Sequence, residues 1–209
     1  MTGGQGESVR TLAIVVPVYN EERRLGALFE ALERDVDRVA AAACFRLEEV
    51  IVVDDGSTDG TAGLLDGYVG LDGRLRPVHV PRNEGKGAAV REGMLGASAD
   101  LVLVTDVDLS TPLDDLAPLA AAHEDGVDVA IGSRALRSSR VLVRQPAYRE
   151  LMGKAFNLAL RVLTGLPYKD TQCGFKLFRL ETTRVLFERQ RVRGFAYDAE
   201  ICVLARQHG

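Results

Sequence analysis

Short, unbroken apolar runs recur along this chain, and each stops abruptly at a polar loop. Leu12-Ala13-Ile14-Val15-Val16 gives way to Pro17-Val18-Tyr19-Asn20-Glu21-Glu22, Val50-Ile51-Val52-Val53 to Asp54-Asp55-Gly56-Ser57, and Leu101-Val102-Leu103-Val104 to Thr105-Asp106-Val107-Asp108. Aliphatic runs without polar alternation are what strands covered on both faces require. They restrict the fold to an α/β class with a sheet inside and helices outside. The polar loops then fall at strand ends, where open α/β sheets bind ligands.

The punctuation between the runs completes the pattern. Strands are expected at 12–18, 48–53, 75–80, 101–105 and 127–131, with a short one after the segment 170–176. Asn20 reads as the cap of a helix carrying Glu21 and Glu22 in its first turn, favourable at the positive end of the dipole. Ser57-Thr58-Asp59-Gly60-Thr61 offers capping oxygens for a helix to about Tyr68. Asn83 to Val90 opens another, and Thr111-Pro112 begins a fourth with proline at its first position. Pro146 starts a helix to about Thr164-Gly165, and helical stretches at 181–190 and 197–207 follow. Strands alternating with helices predict a mainly parallel, doubly wound, Rossmann-like sheet.

A length of 209 residues suits one main domain. It is expected over 11–209, after a polar, glycine-rich and disordered stretch at 1–10, with a first part over 11–134 and a second over 135–209. The formal charge of -4 gives no support for nucleic-acid binding. Cys44, Cys173 and Cys202 lack metal or redox spacing and read as reduced thiols of a cytosolic protein. The N-terminal residues lack the charged-then-apolar pattern of a secretory signal. No apolar stretch approaches the ~20 residues needed to span a bilayer, so membrane contact is expected to be peripheral.

Chemistry concentrates at the strand ends. Asp106 and Asp108 suit a hard divalent cation, Mg²⁺ or Mn²⁺, bridging the phosphates of a nucleoside diphosphate. An isolated Asp-x-Asp is commonly a solvated turn, and it is the company of two further polar strand ends that favours a site. Asp54 and Asp55 read either as acceptors for a base or ribose or as a turn-forming pair before Gly56. Lys86, between Gly85 and Gly87, reads either as a phosphate or base contact or as a solvated lysine. Arg134, directly after Gly132-Ser133, suits phosphate oxygens.

Beyond Arg134, residues 135–145 form a basic, aperiodic stretch with Arg137, Arg140 and Arg144. In the helix that follows, Lys154, Asn157 and Arg161 share a face, with Arg149 nearby. That face is commonly just a charged exterior. The opposite stripe of Tyr148, Leu151, Ala155, Leu158 and Val162 is ordinarily core, a membrane-surface role being the sharper reading. His79, His123 and His208 are scattered and read as structural.

With these residues laid out, the chain resembles the inverting family 2 glycosyltransferases of GT-A fold, and among them the polyprenyl- or dolichyl-phosphate sugar synthases. The resemblance runs from about Leu12 to Ile201. It is carried by Val16 to Glu22, Val53 to Thr61, Asn83 to Gly87 and Asp106-Val107-Asp108, where the family usually has Asp-Ala-Asp. More specific is Asp170-Thr171-Gln172-Cys173-Gly174-Phe175-Lys176-Leu177-Phe178, similar to the dolichyl-phosphate β-glucosyltransferase branch, which implies UDP-glucose as donor. The related mannosyl branch, using GDP-mannose, is the alternative. The resemblance implies that Pro17, Tyr19, Glu21, Asp54 and Lys86 contact the nucleoside, with Asp55 beside them. Asp106 and Asp108 would hold the metal, Arg134 the phosphates, and Arg149 with Lys154 the phosphate of a lipid acceptor. Phe195-Ala196-Tyr197-Asp198-Ala199-Glu200 matches a further family motif near the active site. Family members commonly continue with another strand, interface helices and sometimes membrane helices. This sequence stops at Gly209, as expected of a soluble truncation or of a protein recruited by a partner.

For the reaction, Asp170 is the first candidate to orient or deprotonate the acceptor, with Asp198 and Glu200 behind it. Readings from other classes are a sugar-phosphate nucleotidyltransferase and a non-catalytic nucleotide-sugar sensor. Against the nucleotidyltransferase stands the acidic first loop, Asn20-Glu21-Glu22, which would repel a triphosphate.

Overall fold

The structure, a computed structural model, describes residues 9–132 and 173–208. Strands β1 (Arg10–Val18), β2 (Phe45–Asp54), β3 (Leu75–His79), β4 (Leu101–Val104), β5 (Val129–Ile131) and β6 (Lys176–Arg179) form one sheet in the order β3-β2-β1-β4-β6-β5. The four strands from β3 to β4 are parallel, as the alternating pattern predicts. β6 enters between β4 and β5, antiparallel to both, so the sheet is mixed at that side.

Side-chain alternation along β1 divides the core. Ile14 and Val16 point into one apolar layer and Ala13 and Val15 into the other. The first layer is closed by α1 (Glu22–Ala42), α2 (Thr61–Asp66) and α4 (Leu116–Glu124), the second by α3 (Lys86–Gly96), α5 (Leu180–Arg189) and α6 (Tyr197–His208). In α1, Leu25, Leu28, Leu32, Val36 and Val39 recur at three- and four-residue spacing and are all buried. Each such side chain contributes about 1.5–3 kcal/mol by leaving water. Pro17 is tolerated in a central strand because β1 pairs with β4 only as far as Val15, leaving that edge free of a ladder partner.

Helix starts differ from local expectation. Asn20 does not cap α1. It adopts φ 55 and turns to the next loop, where its amide donates to Ser57 Oγ at 2.8 Å and its Oδ1 accepts from the Thr58 amide at 2.8 Å. Asp59 serves two helices instead, taking the Glu22 amide of α1 at 3.3 Å and the Thr61 amide of α2 at 3.0 Å. Glu22 returns a carboxylate oxygen to the Gly60 amide at 3.0 Å. The β1–α1 and β2–α2 loops are thus one interlocked rim. Pro112 precedes a short 3-10 turn, Leu113–Asp115, rather than starting α4 itself. The expected helix at 146–164, the basic stretch at 135–145 and most of the N-terminal stretch lie outside the described residues.

Candidate functional site

β4 ends at Val104, and Thr105 continues it by donating its amide to Val15 O. A turn closed by the Leu109 amide on Asp106 O at 3.1 Å then separates the two acidic residues. On one side of it, Asp106 Oδ1 receives the Lys86 ammonium at 2.5 Å. On the other, exposed Asp108 accepts the Ser110 amide at 2.9 Å and lines a groove against α1 with Arg24, Leu28 and Pro112.

The antiparallel entry of β6 brings the second half of the site to the same place. Because Lys176 pairs with Val104, residues Cys173, Gly174 and Phe175 lie directly beside the Asp106 turn. A Cβ on Gly174 would stand 2.2 Å from Asp106 Oδ2, far inside contact distance, so only glycine leaves that carboxylate its position. Gly132 meets this strand too, donating its amide to Phe175 O. Arg134, Arg149, Lys154 and Asp170 lie outside the described residues.

Below Gly174 lies a buried ion pair. The Lys176 ammonium donates to Asp198 Oδ1 and to Cys173 O, with both side chains almost wholly out of water. Burial pushes the Asp198 carboxyl up, with Lys176 and then Lys86 working against it. Tyr197, beside it, is fully buried, and its hydroxyl finds no hydrogen bond of good geometry among the described residues. Burial also raises the Cys202 thiol to about 11, which keeps it protonated. All three cysteines are unpaired.

Nearby carboxylates are occupied within the protein. Asp55, buried, accepts the Glu84 and Gly85 amides at 2.9 and 2.7 Å, so it shapes the loop that presents Lys86. Glu21 is held by both oxygens on Arg24 at 3.1 Å. Glu200 takes the Arg191 and Val192 amides, the latter at 2.7 Å. Tyr19 stands exposed at the rim and Pro17 is half-buried below it.

Asp54 accepts the Ser57 amide at 3.0 Å through one oxygen and faces His79 Nδ1 at 3.1 Å with the other. His79 Nε2 is in turn 3.0 Å from Asp66 Oδ1. Carboxylates only accept, so both contacts favour the protonated ring of His79. The bond to Asp54 raises its pKa above 6.5. In the sequence His79 reads as structural, and Lys176 carries no role of its own. A lysine inside the short run Phe175-Lys176-Leu177-Phe178 was the available signal for the second. Nothing local marked the first.

Asp106 and Asp108 supply hard oxygen ligands, and the space that Gly174 leaves beside Asp106 Oδ2 is a cradle that a methyl group would fill. Among the described residues no three potential ligands cluster. As hard oxygen donors, Asp106 and Asp108 are the residues that would hold a Mg²⁺ or Mn²⁺ ion here.

Known proteins are similar to this chain in sequence and in fold. Residues 13–187 fit the description "Glycosyl transferase family 2". The dolichyl-phosphate beta-glucosyltransferase of Drosophila melanogaster is 35% identical over 93% of this chain and 62% of its own length. The undecaprenyl-phosphate 4-deoxy-4-formamido-L-arabinose transferase of Pseudomonas fluorescens is 34% identical over 82% of this chain and 47% of its own. In fold the chain is similar to glucosyl-3-phosphoglycerate synthase of Mycobacterium tuberculosis, a crystal structure with Mn²⁺, UDP-glucose and phosphoglyceric acid. That match has a TM-score of 0.60 and 23% identity, and it covers 91% of this chain and 62% of the other. The chain thus spans only 47–62% of the length of these relatives.

Proposed function

The chain belongs to glycosyl transferase family 2, and from that premise we propose that it moves glucose from UDP-glucose to a polyprenyl or dolichyl phosphate at a membrane surface. The observation that carries the reading is Asp106, set at the end of β4 between the Lys86 ammonium and the glycine of the Gln-Cys-Gly-Phe-Lys segment. The names of the two curated relatives described above, both lipid-phosphate sugar transferases, support the acceptor class.

In this mechanism Pro17, Tyr19, Glu21 and Asp54 hold the nucleoside at the rim of β1 and β2, with Asp55 fixing the loop beside them. Asp106 and Asp108 would hold Mg²⁺ or Mn²⁺, which would supply positive charge against the departing diphosphate. Lys86 leaves Asp106 for a phosphate oxygen, Arg134 binds the same diphosphate, and Arg149 with Lys154 hold the acceptor phosphate. The acceptor oxygen attacks the anomeric carbon opposite the leaving group, giving inversion. A phosphate monoester has its second pKa near ~6 and is largely dianionic at neutral pH, so demand for a base is small. Asp170 is the first candidate to orient or deprotonate this oxygen, and Asp198 and Glu200 are the next.

Calorimetric titration with UDP-glucose and GDP-mannose, each with and without Mn²⁺, tests the donor. Metal-dependent binding of UDP-glucose, followed by transfer to polyprenyl phosphate, is the expected result. A preference for GDP-mannose would reassign the chain to mannosyl transfer, and binding without turnover to a nucleotide-sugar sensor.

A further inference from the structure

Between α5 and α6 the chain reads Arg191-Val192-Arg193-Gly194-Phe195, and every residue of that run is exposed. Phe195 is 77% exposed and Val192 36%. Single exposed apolar residues are ordinary on protein surfaces, but three features set this run apart. The first is its fixed backbone. Glu200 holds the amides of Arg191 and Val192, Gln190 Nε2 donates to both Gly87 O and Val192 O at 2.9 Å, and the Ala88 amide donates to Arg193 O at 3.0 Å. Phe195 is therefore presented by an ordered loop.

The second feature is charge. Arg189, Arg191 and Arg193 alternate through the segment, with no acidic residue from Arg189 to Tyr197. Arg193 reaches Glu84 at 3.1 Å, and the remaining positive charge contrasts with the -4 of the whole chain. Position adds a third argument. A Cβ on Gly87 would meet Val192 O at 2.7 Å and Tyr197 Cβ at 2.6 Å, so the loop packs against the segment that carries Lys86. Asp198 follows Phe195 closely in sequence. The basic, aromatic loop thus borders the mouth of the candidate site.

We propose that residues 189–195 are the membrane-docking surface of this protein, seated on an anionic phospholipid bilayer. Val192 and Phe195 enter the headgroup–acyl boundary while the arginines lie among lipid phosphates. This rests on the reading that the acceptor is a lipid phosphate. A polyprenyl tail stays in the bilayer with its phosphate at the interface, so the site mouth has to be brought to that plane.

The test uses the whole chain and vesicles of phosphatidylcholine with or without phosphatidylglycerol. The protein is expected to float with the anionic vesicles and not with the neutral ones, and to be released by high salt. Each basic residue near such a surface is worth about 1 kcal/mol, or about fivefold in partition. Arg191→Gln should therefore weaken binding by about that factor, and Phe195→Ser combined with it by a good deal more. Arg191→Gln should keep its affinity for UDP-glucose without vesicles, which controls for folding. Since the chain has no tryptophan, Phe195→Trp supplies a single reporter whose emission should shift to the blue on anionic vesicles. Unchanged emission, undiminished binding by the double variant, or equal binding to neutral vesicles would each overturn the proposal. Donor binding without docking removes the surface and leaves glycosyl transfer standing, whereas docking without donor binding does the reverse.

Discussion

Gly174 stands so close to Asp106 that a methyl group in place of its hydrogen would lie 2.2 Å from one carboxylate oxygen. The two residues lie far apart in the sequence and meet because β6 runs antiparallel alongside β4. Gly174→Ala is expected to push the Asp106 carboxylate aside and cut Mn²⁺-dependent donor binding at least tenfold. Thermal unfolding should fall only slightly, because Asp106 is on a partly solvated turn. A variant that binds donor normally would show that the carboxylate position is not what matters.

Asp106→Asn removes the charge without changing shape. Its partner Lys86 is partly solvated, so the loss of that ion pair should cost little stability, about 0–1 kcal/mol. Binding of UDP-glucose should become insensitive to Mn²⁺, and turnover should fall roughly 100-fold or more, in line with removing an electrostatic anchor of a leaving group. Calorimetry with and without the ion separates this outcome from simple unfolding.

Lys176 and Asp198 predict a different pattern, since both are buried. Lys176→Met leaves a carboxylate in the interior with no counter-charge and should cost about 3–5 kcal/mol, seen as a drop of roughly 10 °C in Tm. Adding Asp198→Leu should restore much of that loss, while donor transfer to acceptor stays impaired. Additive losses in the double variant would mean the two side chains do not act as a pair.

His79 gives the stability a pH dependence. Its pKa is raised above 6.5 in the folded protein by Asp54, and by Asp66 after it. A cation stabilised by folding contributes fully below the unfolded pKa, and that contribution is lost as pH rises through the raised folded value. Tm should therefore decline from about pH 6.5 upward in the native chain, by a modest amount because the ring is partly exposed. His79→Gln should show a shallower decline over the same range. A steeper one would place the dependence elsewhere.

How legible these features were from sequence depends on how local their causes are. The continuous runs of β1, β2 and β4 announce buried strands by themselves, and the loops that end them are polar for the reason that ligand sites are. Asp54, Lys86, Asp106 and Asp198 become candidates in that way or through the family resemblance. The insertion of β6 was not legible, because Lys176-Leu177-Phe178-Arg179 has no period to reveal its direction or neighbours. The start of α1 misled for a related reason. Asn20 has the right chemistry for a cap, but the neighbouring loop supplies Asp59 and draws Asn20 to itself. His79 was hidden by distance in the sequence, since its two carboxylate partners lie on β2 and α2.

The place of β6 in the sheet has a consequence for biosynthesis. While the chain emerges from the ribosome, β1 to β4 can pair as soon as they appear, but β4 keeps a bare edge, and β5 has no strand to join, until residues 176–179 are free. Exposed apolar edges are the templates on which nascent chains aggregate. A chain released before Lys176 would thus carry most of its core with one flank unsealed, and the same late strand that closes the flank also delivers Gly174 to Asp106. Completion of the sheet and assembly of the site are one event, and a half-made molecule has neither.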